Sequence, residues 1–267
     1  MVTQRARLSM LRQQWPPSVL SGLRGRAVGA RHVCAVVVAC LAASALAGAQ
    51  ASGAGTIRGV VAIDGKVPGN AIVRMGVDPK CALLNAGARV VDEAVVATAN
   101  GRLANVFVSL KGTFPSTPVP AEPVVIDQRR CVYAPRVLGM RLGQTLQIRN
   151  DDELLHNVHA SSVAAGNSFN IAQPIAGLVF SFTPKSAEVM VKLGCDVHRW
   201  MTSYVGVLDH PYFAVSRADG TFEIGRVPPG TYTIEAWHER LGAVTKTVTV
   251  RLGAVAAVGF SYSAIKP

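Results

Sequence analysis

The 267-residue sequence is poor in charged and aromatic residues, which make up 16% and 6% of the chain. It contains no glycine-rich phosphate loop, no Ser-His-Asp order and no carboxylate pair in a catalytic context. No apolar run reaches the roughly 20 residues that a membrane-spanning helix needs. These absences argue against nucleotide-binding and hydrolase sites and against a transmembrane span in the mature chain. We predict that the protein is not an enzyme.

Positive charge is concentrated at the N-terminus. Before residue 52 there is no Lys, Asp or Glu, and the basic residues are Arg5, Arg7, Arg12, Arg24, Arg26 and Arg31. Removing these six from the formal charge of +11 leaves about +5, which is too mild to indicate nucleic-acid binding. Since no basic stripe with interleaved aromatic residues follows, we predict no nucleic-acid partner.

The segment 1–51 has the pattern of a secretory signal peptide. A basic lead precedes an apolar run of 15 residues, Val33–Ala47, which is short for a membrane span. Small residues at 45–47 or 49–51 offer a cleavage site. We therefore expect an exported protein, periplasmic or otherwise outside the cytosol. An uncleaved anchor and lipidation at Cys40 are the alternatives.

The pattern of the rest of the chain predicts many short strands. Segments rich in Val, Ile, Leu, Phe and Tyr alternate with turn residues such as Asp64-Gly65 and Pro228-Pro229-Gly230. No window sustains the apolar i, i+3, i+4, i+7 pattern of an amphipathic helix. The pattern predicts an all-β protein built as a sandwich or barrel.

Three cysteines follow the signal segment: Cys81, Cys131 and Cys195. In an oxidising compartment, this number suggests one pair and one remaining thiol. The spacing of Cys81 and Cys131 fits no metal pattern, so we predict a structural disulfide between them. Additional metal ligands or a redox pair are the alternative interpretation.

The remaining thiol lies in the segment GCDVHRWM, where Cys195, His198 and Met201 are each three residues apart. A loop between two strands can curl so that all three side chains converge. Each could instead be an ordinary core residue. A histidine from another strand would complete a set of two imidazoles, a thiolate and a thioether, which favours copper over zinc.

Upstream, the segment LHNVHA contains two histidines three residues apart, His156 and His159. Side chains at i and i+3 of a strand point to opposite faces, so only one of the two can reach a shared site.

The segments VVIDQRRCVYAPRVLGMRLGQTLQIRNDDELLHNVHA and CDVHRWMTSYVGVLD resemble the cupredoxins, most of all the amicyanin type, over about residues 121–210. The resemblance implies a Greek-key β-sandwich at residues 116–211 that holds one type 1 copper ion. It implies His156, Cys195, His198 and Met201 as ligands, with Asn157 bracing the ligand loop and His159 structural. Asp196 and Arg199-Trp200 depart from the proline-bearing loop common in that type.

The flanking segments GTIRGVVAIDGKVPGNAIV and ADGTFEIGRVPPGTYTIEAWHE resemble the carboxypeptidase regulatory-like, or transthyretin-like, β-sandwich. We expect residues 52–115 to form such a module with residues 212–262 of the C-terminal segment 212–267. The copper domain would then be inserted into this module or packed between its halves.

The function that these features favour is transfer of single electrons to and from a redox protein partner. In that interpretation the edge of His198 lies near the surface and exchanges the electron. The alternative is a binding or scaffold protein that contacts glycan, envelope or protein, with copper in a structural or copper-handling role.

Overall fold

The computed structural model describes residues 53–264, and the predicted signal peptide lies outside them. The described residues form sixteen strands and one short α-helix. The strands are β1 (Gly55–Asp64), β2 (Phe107–Lys111), β3 (Val124–Arg129), β4 (Val132–Ala134), β5 (Val137–Arg141), β6 (Leu146–Asn150), β7 (His156–Ser161), β8 (Phe169–Gln173), β9 (Val179–Phe182), β10 (Glu188–Gly194), β11 (Thr202–Leu208), β12 (Phe213–Val215), β13 (Thr221–Val227), β14 (Gly230–His238), β15 (Gly242–Val250) and β16 (Val255–Ser263). The helix, α1 (Pro79–Leu84), follows a 3₁₀ turn at Met75–Val77. The predicted all-β class is confirmed.

One pair of sheets, the first sandwich, is built from strands at both ends of the described chain. Its sheets have the orders β13-β1-β16 and β12-β2-β14-β15. Their inner faces share one apolar core, to which Ile57 and Phe222 contribute from one sheet and Val108 and Ile234 from the other. The core exists because alternate residues along each strand are apolar and point to the same side.

A second pair of sheets, the second sandwich, contains the strands between them in sequence. Its sheets have the orders β5-β11-β10-β7-β8 and β4-β3-β6-β9. Ile126 and Ile148 from one sheet and Met140 and Val205 from the other lie in a second core. This arrangement accommodates an insertion at residues 116–211, and that domain division stays a prediction.

The two sandwiches meet at Phe107 on β2, which is fully buried. Two glycines of the second sandwich face its ring, Gly206 on β11 and Gly139 on β5. A Cβ added at Gly206 would lie 2.4 Å from the ring, and one added at Gly139 would lie 2.7 Å from it. The absence of side chains at these two positions makes room for the phenyl group.

The segment with α1 packs on the second sandwich although it precedes β2 in sequence. Met75 and Cys81 lie in the second core, and Cys81 is joined to Cys131, in the turn between β3 and β4, by a disulfide. The predicted disulfide is confirmed. The bridge holds α1 over the end of the sandwich where the ligand-bearing segments lie.

Within residues 53–264, no helix has both the length and the apolar character needed to cross a bilayer.

Candidate metal centre

Three buried side chains converge at one end of the second sandwich: His156, Cys195 and His198. One ligand atom from each lies within 4.8 Å of the other two. The two Nδ1 atoms are 2.9 Å apart, and Cys195 Sγ is 3.8 Å from His198 Nδ1. Two nitrogens bound to one ion at about 2.0 Å lie at most about 4 Å apart, and a nitrogen and a sulfur bound at about 2.0 and 2.3 Å lie at most about 4.3 Å apart. The three side chains therefore fit a single ion.

The β10–β11 hairpin positions two of these residues. Gly194 pairs with Thr202 across the hairpin, so residues 195–201 form a closed loop. Met201 N–H donates to His198 O at 2.8 Å, and His198 N–H donates to Cys195 Sγ at 3.3 Å. Met201, at the end of the loop, is 1% exposed and lies in the same core cluster as Cys195. A tight loop thus brings the thiol and imidazole together.

Strand β7 supplies the other imidazole. Its residue His159 pairs with Gly194 of β10, which sets β7 beside the ligand loop. His156 is fully buried and faces the thiol, whereas the side chain of His159 is 45% exposed and contacts Asp196. The side chains of the two histidines point to opposite faces of β7, as the two-residue period of a strand requires. Their roles toward a metal stay predictions.

Asn157 ties β7 to the ligand loop. Its Oδ1 accepts from Asp196 N–H at 2.7 Å and lies 3.3 Å from Cys195 Sγ. Its Nδ2 donates to Asn170 and to the carboxylate of Asp196. These contacts join β7 to the loop 195–201, and the role of Asn157 toward a metal stays a prediction.

Two carboxylates that the sequence interpretation missed face the outer nitrogens of both imidazoles. Asp152 Oδ2 lies 2.9 Å from His156 Nε2, and Asp78 Oδ2 lies 3.1 Å from His198 Nε2. A carboxylate at Nε2 favours a proton on that nitrogen, which leaves the lone pair of Nδ1 for a metal. Asp152 is four residues before His156, in the acidic segment Asp151-Asp152-Glu153. Nothing in the sequence around Asp78 indicated its role.

Backbone amides hold both carboxylates in place. Asp152 accepts from Arg130 N–H at 2.7 Å and from Cys131 N–H at 2.8 Å. Asp78 is the N-cap of α1 and accepts from Lys80 N–H at 2.9 Å and from Cys81 N–H at 3.1 Å. One cysteine of the disulfide donates to each carboxylate, so the bridge fixes the distance between them.

The surroundings favour the ionised thiol. Burial raises the pKa of Cys195, but the neighbouring His156 imidazole and backbone amides lower it by more, so the net pKa lies below the ordinary thiol value. The same balance holds the pKa of Asp152 low, because His156 and two N–H groups offset its burial. The thiolate is the form that binds metals.

The imidazole of His198 is 1% exposed, so the prediction that its edge lies near the surface is wrong. Asp78, 120 positions earlier in the chain, covers Nε2 from the start of α1.

Comparisons with known proteins find likeness only at the level of structure. No protein-family model matches the sequence, and no curated protein matches it. A copper-containing nitrite reductase from Thermus scotoductus SA-01 is similar at 17% identity and TM-score 0.31, with 36% of this chain and 24% of the reductase covered. This chain thus spans about a quarter of that protein.

Two smaller copper proteins are also similar. A methionine-to-alanine variant of amicyanin in the Cu(I) form matches at 20% identity and TM-score 0.30, covering 38% of this chain and 97% of amicyanin. A purple cupredoxin from Nitrosopumilus maritimus matches at 24% identity and TM-score 0.28, covering 32% of this chain and 98% of that protein. At such TM-scores the likeness carries no argument, and the case for a metal rests on the donor atoms.

Proposed function

We propose that the protein is an exported electron carrier with one type 1 copper ion, bound by His156, Cys195, His198 and Met201. The observation that carries the proposal is the convergence of two imidazoles and the free thiol within 4.8 Å in a buried site. When bound, copper supplies a one-electron couple. The chain's part is to hold the donors rigid and dry, so that little rearranges when the charge changes.

The donor set distinguishes copper from zinc. Structural zinc sites take four ligands from Cys and His, and a thioether is a poor zinc ligand. Two imidazoles and a thiolate with a weak axial methionine form the electron-transfer type of copper site. Met201 is buried at the end of the same loop and belongs to the same core cluster as Cys195.

The burial of His198 supports a second candidate, in which copper is structural or is stored and delivered. A carrier usually needs a ligand edge that a partner can approach, and Asp78 covers this one. The first sandwich would then be the functional surface, in contact with glycan or another envelope component.

Optical and spin-resonance spectra of the copper-loaded protein test the site. We expect an intense visible band from charge transfer between thiolate and copper, and its loss in Cys195→Ser, because a hydroxyl is a far poorer ligand for copper. His159→Ala is the matched control and should keep the colour, whereas His156→Ala should lose it. The opposite result for the two histidines would reverse the ligand assignment.

Cyclic voltammetry separates the two candidate functions. A reversible one-electron wave supports the carrier. Copper that is bound and coloured but gives no wave supports the structural or copper-handling role.

A further inference from the structure

Since His198 is covered, an electron carrier needs another route between the site and the surface. The side chain that continues from His198 toward solvent is Trp200, whose ring centre lies 5.2 Å from that of His198. Trp200 is partly exposed. Its Nε1–H donates to the carbonyl oxygen of Cys131 at 2.9 Å, which fixes the indole against the disulfide segment.

The exposed side of Trp200 lines a groove of about 680 Å³ between segment 85–93 and the β3–β4 hairpin. Met201 and Val132 are also among its lining residues. Trp200 is thus a continuous aromatic link from an imidazole of the metal centre to a concave surface.

The groove is basic. Four arginines and two acidic residues line it. Arg136 is paired with Asp92 and Glu239. Within residues 53–264, the guanidinium groups of the exposed Arg89, Arg129 and Arg130 form no ion pair with a carboxylate. Unpaired positive charge around a concave surface attracts negatively charged partners and accelerates their association.

We propose that the protein exchanges electrons through Trp200 with a one-electron redox protein that presents an acidic surface to this groove. The proposal rests on the proposed electron-carrier function and names its port and its partner. In each exchange one electron passes between the partner's redox centre and the copper, so that one is oxidised as the other is reduced. No bond forms and no proton moves.

The docking surface is tested on metal-free protein with hexacyanochromate(III), a paramagnetic trianion, as the probe. In ¹⁵N NMR spectra we expect it to broaden the indole N–H of Trp200 and not that of Trp237, which lies on β14 of the first sandwich. Arg89→Gln/Arg129→Gln should weaken the broadening. The control Arg217→Gln/Arg251→Gln removes the same charge elsewhere and should leave it unchanged.

The electron route is tested on copper-loaded protein by stopped-flow oxidation of the reduced form with hexacyanoferrate(III). Trp200→Leu should slow the reaction while the visible band and the potential stay as in the wild type, and Trp200→Phe should restore most of the rate because it keeps a ring. The arginine pair Arg89→Gln/Arg129→Gln should slow it by about tenfold at low salt, the lower end of electrostatic steering effects.

Two outcomes overturn the proposal. One is broadening that is centred away from the Trp200 indole or that is the same in Arg89→Gln/Arg129→Gln as in the wild type. The other is an oxidation rate that is unchanged in Trp200→Leu but higher in Asp78→Ala, which would assign the port to His198. A chain that fails to form the coloured site contradicts the electron-carrier function itself, whereas a coloured chain with a Trp200-independent rate contradicts only the port.

Discussion

Opening the Cys81–Cys131 disulfide should cost the metal-free protein about 4 kcal/mol of unfolding free energy. The two cysteines are 50 positions apart. Closing a loop of that length removes about 14 cal/mol/K from the entropy of the unfolded chain, which corresponds to about 4 kcal/mol at 25 °C. Both cysteines are buried, and reduction removes the cross-link without removing either side chain.

The assay is urea unfolding of metal-free protein with and without a reductant. The reduced wild type keeps both sulfurs and isolates the cross-link, whereas Cys81→Ala/Cys131→Ala also loses packing and should be somewhat less stable. Cys195→Ser keeps the bridge and should show the same dependence on reductant as the wild type. A difference below about 1 kcal/mol would refute the loop-closure reasoning.

The same reduction should loosen α1. The amides of Ala82 and Asn85 bond to carbonyls of Asp78 and Cys81, in a helix of six residues that is too short to be stable alone. Their hydrogen exchange should therefore accelerate on reduction, while amides of β14 in the first sandwich should not change. Equal protection in both redox forms would mean that packing, not the bridge, holds α1 over His198.

Three further predictions concern other parts of the molecule. Gly206→Ala places a Cβ 2.4 Å from the ring of Phe107 and should destabilise the protein by about 1–3 kcal/mol in urea unfolding; an unchanged midpoint would contradict the packing at this contact. Asp152→Asn removes a buried carboxylate that accepts two backbone N–H groups and should cost about 1.5–3 kcal/mol, whereas Asp151→Asn at an exposed neighbour should stay within about 0.5 kcal/mol. Burial lowers the pKa of His238 to about 4, below the value of 6.5 in the unfolded chain, so stability should fall as the pH drops from about 6.5 toward 4; His238→Asn, which keeps an acceptor but does not titrate, should flatten that part of the pH profile.

Much of the candidate site follows from local pattern. Cys195, His198 and Met201 share one short loop between two strands, so their proximity depends on seven consecutive residues. The two-residue period of a strand shows that only one of His156 and His159 can reach a shared site, and the resemblance implies that it is His156. The disulfide follows from the number of cysteines and the expected compartment.

The environment of the site does not follow from local pattern. Asp78 reaches His198 across 120 positions, and its neighbours in sequence do not indicate that contact. The turn between β3 and β4 folds over Asp152 and donates two N–H groups to its carboxylate. Because Asp78 covers the edge of His198, the predicted exposure of that edge is wrong.

The sequence by itself determined the all-β class and the pairing of Cys81 with Cys131, and it placed the candidate donors Cys195, His198 and Met201 in one loop, because each of these depends on composition or on spacing within one loop. Only the tertiary structure decided which nitrogen of each imidazole faces a carboxylate, that α1 covers His198, and that Trp200 opens into a basic groove. These features arise where distant segments pack against each other, and such contacts depend on the whole fold rather than on any local stretch of the chain.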